Sequence, residues 1–303
     1  MRIGITYLYT IFRYGYPHSV EQALAALAEI CDLGFHYLEM EGLGQAHLRG
    51  MYRHRARVRR TLDELGLHVH NFCIVDPDLV HLDAGRRRKA LERFRLGAEV
   101  ADFLGAETLH LASYAPPVRY VEARPYQLSA KGGYRFAGAT QVRIPKGFDW
   151  NRVWEALVES CRACAQEAGG KVVLMEPRVG EVICTVDSLL RLIEHVGRPN
   201  FQANFDTGHF SAQRENVPLA LAKLAGHFGN IHISDNNPVD TEHLPVGEGI
   251  IDWMEFFRVL QRMNYAGYLG LDLGTRRPLV KGYRTSVKRI QEIARALRIP
   301  VEV

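Results

Sequence analysis

A chain of 303 residues with 38 basic and 34 acidic side chains carries a net charge of +4, too small an excess to demand nucleic acid or another polyanion as partner. Its composition, 47% hydrophobic and 24% charged, is that of an ordinary globular domain. No apolar stretch approaches the roughly 20 residues of a membrane-spanning helix, and Met1-Arg2-Ile3-Gly4-Ile5 reads as a strand instead of a signal peptide, so the expectation is a cytoplasmic protein with no membrane partner.

In chain order, short apolar runs alternate with amphipathic segments that stop at glycine. Residues 2–7 read as the first strand, and Ser19 caps a helix over 20–33 that ends at Gly34. Strand two covers 36–40 and leads into a basic helix that ends near 65, before Gly66. Strand three covers 67–74, an Arg- and Lys-rich helix over 86–104 stops at Gly105, and strand four covers 107–111. The second half continues with a helix over 150–168, strand five over 171–175, a helix over 185–196 and strand six over 201–205. A helix over 218–225, strand seven over 230–233, a helix over 252–263, strand eight over 268–271 and a helix over 283–297 complete the series. Buried parallel strands in regular alternation with helices, and no composition shift, predict one domain over 1–303 of α/β class: a (β/α)8 TIM barrel.

Five cysteines are an odd number for a disulfide framework. Cys161 and Cys164 form a CxxC in mid-helix, where two small packed side chains are expected rather than a redox pair. The densest basic run, 53–60, reads as a solvated helix face.

One segment breaks the rhythm. Between strand four and its helix lies an insertion, 113–148, longer than ordinary connections. Its Tyr114, Tyr120, Tyr126, Tyr134, Phe136 and Phe148 need something to pack against. Leaving strand four on the catalytic face, it is expected to form a lid over the barrel mouth or a contact with a second subunit.

Metal-ligand side chains stand at the ends of successive strands. Glu176 follows Val172-Val173-Leu174-Met175, Asp206 follows strand six, His232 stands in strand seven and Asp272 follows strand eight. Barrel active sites lie at the carboxyl ends of the strands. Three carboxylates and an imidazole there predict one divalent cation bound by Glu176, Asp206, His232 and Asp272. The oxygen-rich set favours Mn²⁺ first, with Mg²⁺, Co²⁺ or Zn²⁺ as alternatives. The competing role for a single carboxylate such as Asp206 or Asp272 is to cap the next helix. His209, Asp235, Asn236 and His243 crowd the same rim, and Arg178 is placed to meet a carboxylate, phosphate or polyol. His70 and His110, on strands three and four, are either site residues or hydrogen-bonded structural histidines.

Glu176, Asp206-Thr207-Gly208-His209, His232-Ile233-Ser234-Asp235-Asn236, His243-Leu244-Pro245-x-Gly247-x-Gly249-x-Ile251-Asp252-Trp253 and the strand-eight acid together resemble the sugar phosphate isomerase/epimerase superfamily of xylose isomerase-like TIM barrels. The resemblance covers nearly the whole chain outside 113–148, and it specifies the superfamily rather than one activity. It implies metal ligation by Glu176, Asp206, His232 and Asp272, a substrate contact through His209, and a further role for Glu176 and Asp272 as proton carriers at a sugar carbon. Arg178, His110, Asp235 and His243 are the other expected substrate-binding residues. The family normally has Glu at the strand-eight position, so Asp272 departs from it by one methylene.

The expected function is a metal-dependent isomerase or epimerase that abstracts a proton next to a carbonyl of a sugar, keto-sugar or cyclitol. A lyase is the first alternative, by β-elimination from a 3-oxo-glycoside or by dehydration. A homo-oligomer is expected, and a small partner subunit accompanies some glycoside-cleaving members of the superfamily. The second alternative is a phosphodiesterase resembling endonuclease IV, with counterparts at His70, His110, Glu176, Asp206, His209, His232, His243 and Asp272, but Thr241 stands where that pattern has an aspartate. The third is a noncatalytic sugar-binding homologue.

Overall fold

Eight parallel strands close a barrel in the computed structural model, which describes residues 1–121, 141–237, 242–274 and 278–303. They are β1 (Arg2–Ile5), β2 (Tyr37–Leu43), β3 (His68–Val75), β4 (Thr108–Ala112), β5 (Val172–Glu176), β6 (Phe201–Asp206), β7 (Phe228–Ile233) and β8 (Tyr268–Leu271). Each pairs with its neighbours in sequence, and β8 returns to β1 with Ile5 beside Leu271. Around them run α1 (Leu8–Tyr14), α2 (Val20–Asp32), α3 (Gly44–Leu65), α4 (Ala84–Leu104), α5 (Trp150–Glu167), α6 (Val186–Val196), α7 (Thr207–Ala212), α8 (Val217–Lys223), α9 (Trp253–Arg262) and α10 (Leu279–Leu297). This is the TIM barrel that the alternation predicts.

Local chemistry sets the element ends. Ser19 accepts from the Gln22 N–H at 3.2 Å while Gln22 Oε1 accepts from the Ser19 N–H at 2.8 Å, a reciprocal cap that starts α2. Helices α3 and α4 stop at Gly66 and Gly105, both left-handed, a conformation that costs glycine little. Buried aromatics fill the space between sheet and helices: Phe205 of β6 packs on Phe210 of α7 and Phe256 of α9, with ring centroids 4.8 and 6.1 Å apart. Cys161 and Cys164 are buried in α5 as small core side chains with free thiols.

Two departures from the sequence expectation matter for the site. Helices α1 and α7 occupy stretches without a predicted element, and α7 begins directly at the end of β6. Strand β2 runs on to Leu43 instead of ending at residue 40, and so contains both Glu39 and Glu41. Two acids interrupt the apolar signal that marks a strand, yet both are buried.

Within the insertion, Arg119–Tyr120 pairs antiparallel with Val142–Arg143. The Tyr114 hydroxyl accepts from the Asp76 N–H at 2.6 Å, and its own N–H donates to Glu181 at 2.6 Å, so the start of the insertion is tied to the barrel rim. Tyr126, Tyr134 and Phe136 lie outside the described residues, as does Thr241. Among the described residues, no helix is long and apolar enough to cross a membrane.

Candidate metal centre

Parallel pairing brings the strand ends level. Asp206 is the register partner of His232, and Glu176 closes β5 next door. All three side chains are buried, and one donor atom from each lies within 4.8 Å of the others. His232 Nδ1 stands 2.7 Å from Glu176 Oε1 and 3.6 Å from Asp206 Oδ2, in neither case with hydrogen-bond geometry. Asp206 Oδ2 also has no hydrogen-bond partner among the described residues. Donors about 2.1 Å from a shared cation stand roughly 3–4 Å apart, close to these separations. Buried lone pairs converging without protons between them are costly unless a cation satisfies them. The residues therefore fit a divalent metal.

His232 owes its orientation to a residue that the sequence reading missed. Its Nε2 lies 2.9 and 3.1 Å from the two oxygens of Glu39, fully buried on β2. A carboxylate only accepts, so Nε2 carries a proton, and Nδ1, turned to Glu176 and Asp206, is the nitrogen left for a second proton or a cation. Asn71 and Asn230 donate to Glu39 Oε1 at 3.1 and 2.8 Å and fix it in turn. Burial opposes the Glu39 charge, but His232, with His70 and His110, outweighs it and holds the carboxyl down at about 2. Burial likewise opposes charging His232, and Glu39 and Glu176 overrule it, so without a cation the ring takes up a second proton well above the usual histidine range, at the Nδ1 position that a metal would fill. An acid in an otherwise apolar strand was the available signal, since unpaired carboxylates are rarely buried.

Asp206 takes the capping role that the sequence left open and keeps its other oxygen toward the candidate metal group. Its Oδ1 caps α7, accepting from the His209 N–H at 2.8 Å, while Oδ2 turns to the metal group. The cap also starts the turn that carries His209, buried with its ring edge-on to His243 at 5.3 Å.

Asp272 stands outside the group formed by Glu176, Asp206 and His232. Its Oδ1 accepts from Thr6 Oγ1 at 2.6 Å, and its Oδ2 lies 2.9 Å from His243 Nδ1. Burial opposes both charges of this pair, yet each holds the other ionised, with Asp272 at about 2 and His243 at about 9. Glu176 is engaged on its other side. Its Oε2 accepts from Arg178 Nε and lies 3.5 Å from His110 Nε2, while Oε1 accepts from Asn204 at 3.0 Å. Burial opposes the Glu176 charge, but Arg178, His110 and His232 hold the carboxyl well below the usual range. Arg178 also donates to the Tyr7 hydroxyl at 3.2 Å, which ties it to the chain just past the end of β1. His70 stacks on Tyr268 at 4.3 Å, with Nε2 3.9 Å from Glu39.

The structure gives Asp235 a fastening role. Its oxygens accept from the N–H groups of Gly247 and Ile251 at 2.9 and 3.2 Å and from Trp253 Nε1 at 2.7 Å. A Cβ at Gly249 would collide with Asp235 and the Asn236 carbonyl, which is the physical need behind the second glycine of that run. The loop thus anchored delivers His243 to Asp272.

The xylose isomerase-like TIM barrel family model matches residues 27–293. L-Ribulose-5-phosphate 3-epimerase UlaE of Shigella flexneri serotype 5b (strain 8401) is 25% identical over 243 residues, 78% of this chain and 76% of its own length. A D-tagatose 3-epimerase-like protein superposes with a TM-score of 0.75 at 18% identity, covering 98% of this chain and 100% of its own. 3-Keto-D-glucoside 4-epimerase YcjR from E. coli, in its apo form, gives 0.72 at 20% identity, with 96% and 99% covered. At these identities the two superpositions speak for the fold alone. By the span of the family match, the chain belongs to the xylose isomerase-like TIM barrels.

Proposed function

We propose that the protein is a divalent-metal-dependent sugar epimerase or isomerase, acting on a sugar, keto-sugar or cyclitol by moving a proton at a carbon next to a carbonyl. The observation that carries this is the convergence of Glu176, Asp206 and His232, buried, at the carboxyl ends of adjacent strands. Epimerase relatives by name support it. Glu176, Asp206 and His232 would hold the cation, with Asp272 as the fourth proposed ligand. When bound, a hard divalent ion such as Mn²⁺ polarises the carbonyl and hydroxyl oxygens of the substrate. Glu39 keeps the His232 proton on Nε2. Glu176, aimed by Arg178 and Asn204, is the proton acceptor. Asp272, three strands further round the barrel, returns a proton from another side, its carboxylate steered by His243 and Thr6. His209, Arg178 and His110 line the approach to the substrate.

The test is proton exchange. Protein loaded with Mn²⁺ is offered a panel of ketoses and cyclitols in D₂O, and NMR follows deuterium entering the carbon next to the carbonyl. Exchange with inversion is expected, and Glu176→Gln should abolish it. A panel without any exchange would overturn the proposal.

A lyase is the second reading, favoured by one observation: both oxygens of the shorter Asp272 are already engaged by Thr6 and His243. A carboxylate so restrained suits a reaction needing one base. It predicts exchange without inversion and elimination from a 3-oxo-glycoside. The phosphodiesterase reading gains less, because the second donor group, Glu39, His110 and His232, shares its histidine with the first.

A further inference from the structure

Glu39 and Glu41 alternate on β2 and so face the same way, one step of about 6.6 Å apart along the strand. Glu39 serves His232 inside the barrel, so Glu41 stands one layer nearer the mouth. It is 2% exposed, and neither of its oxygens has a hydrogen-bond partner among the described residues. His18, 5% exposed, points Nδ1 at Glu41 Oε1 from 3.4 Å without forming a hydrogen bond. His47 lies edge-on to His18 at 4.7 Å. Its Nδ1 accepts from the Leu43 N–H at 3.1 Å, so the proton sits on Nε2, which is buried and has no partner. Such groups require something to bond.

A water does not account for all of them. A cavity of about 10 Å³ touches Tyr7, Thr10, His18, Glu39 and Glu41, room for a single water, and His47 is not among its walls. The cluster also reaches outward. Tyr16 has its ring half exposed, and its hydroxyl feels the charge of Glu41 and of Arg178. Arg178, the cation felt by Glu41, is already bonded to Glu176. Burial pushes His18 and His47 down to about 4, so both are neutral near pH 7.

We propose that Glu41, His18 and His47 form a hydroxyl-binding subsite, which takes the end of the sugar remote from the metal centre and selects an unphosphorylated polyol there. The carboxyl accepts or shares protons with hydroxyls, and His47 Nε2–H donates to one. A phosphate in the same place would meet a buried acid and two neutral rings, and among the described residues Arg178, the cation felt by Glu41, is already bonded to Glu176. This assignment rests on the sugar-substrate reading above and adds the substrate class to it.

The experiment compares a free ketose with its terminal phosphate ester, using Mn²⁺-loaded protein and the D₂O exchange assay. Wild type should favour the free sugar by about 10-fold or more in kcat/KM. Glu41→Gln and the smaller Glu41→Ala should each raise KM for the free sugar about 10-fold, alter kcat far less, and leave the affinity for Mn²⁺ alone unchanged. Exchange that favours the phosphate ester overturns the subsite while leaving the sugar reading intact. So does an unaltered KM in folded Glu41→Gln protein, or a loss confined to kcat and Mn²⁺ affinity, which would attach Glu41 to the metal centre. If wild type exchanges no ketose of either kind, the sugar reading fails and the subsite falls with it.

Discussion

The two halves of the barrel divide the labour of the site. The ends of strands β5 to β8 carry Glu176, Asp206, His232 and Asp272, the side chains proposed to face the reacting atoms. Strands β1 to β4 supply partners that aim them: Thr6 on Asp272, Glu39 on His232 and His110 beside Glu176. The difference teaches how a buried carboxylate cluster is tolerated. His232, Glu176 and Asp272 each carry a contact from the first half, whereas Asp206 is held by the His209 N–H of its own helix. Removing a member of either set tests the division, and the expected losses differ in kind.

The largest effect is expected at Asp206. Asp206→Ala removes the free Oδ2 from the metal group and the Oδ1 cap from α7. Titration calorimetry with Mn²⁺ should show binding weakened by more than about 100-fold, beyond what loss of an outer contact causes. The lost cap costs about 1 kcal/mol, so circular dichroism should still report a folded barrel. A variant that keeps Mn²⁺ affinity would remove Asp206 from the centre, and an unfolded one would make its role structural.

Glu39→Gln is next. It leaves the β5 to β8 side chains intact and takes away only the charge behind His232. Mn²⁺ affinity should fall about 10–100-fold, and added Mn²⁺ should restore activity. Unchanged affinity would show that the first half contributes shape without tuning the ligands.

Asp235→Asn sharpens the contrast from within the second half, because Asp235 stands at the rim yet fastens a loop. Losing charged acceptance from Trp253, Gly247 and Ile251 should cost about 1.5–3 kcal/mol in thermal unfolding. Mn²⁺ affinity should stay near that of wild type. A large loss of metal binding with stability intact would return Asp235 to the site proper.

The same division explains what was legible in the sequence. Glu176, Asp206 and Asp272 follow apolar runs and have a glycine within a few residues, so local pattern exposes them. Glu39 and Glu41 sit inside β2, where they shortened the expected strand instead of drawing notice. Their partners, His232 and His18, are remote in sequence or on another element, and only barrel closure brings β2 within reach of β7. For Asp206, capping and metal binding need not compete, because its two oxygens are separate groups: Oδ1 caps α7 and Oδ2 has no hydrogen-bond partner among the described residues. The eight-stranded closure itself was legible, because each strand–helix unit ends on its own glycine or cap and needs no distant contact to be recognised.

The smallest effect is a pH dependence that separates His18 and His47 from His243. His243 is held charged by Asp272, whereas His18 and His47 are buried neutral, pushed down to about 4 by burial, which His47 reinforces at His18. An unfolded histidine titrates near 6.5, so between about 6.5 and 4 the unfolded chain binds protons that folded His18 and His47 refuse. Stability from this source is complete above about 6.5 and is lost as pH falls toward 4. Glu41, facing His18, works in the opposite sense, because burial raises its carboxyl and the folded state then takes up the proton first. The measurement is therefore a difference: Tm against pH for wild type and for a His18→Asn, His47→Asn variant, both in chelator. Wild type should lose several degrees more than the variant between pH 6.5 and 4.5, on the order of 1 kcal/mol or more per histidine. Parallel curves would mean that the rings accept protons without cost, and His18 and His47 would then be held no differently from His243.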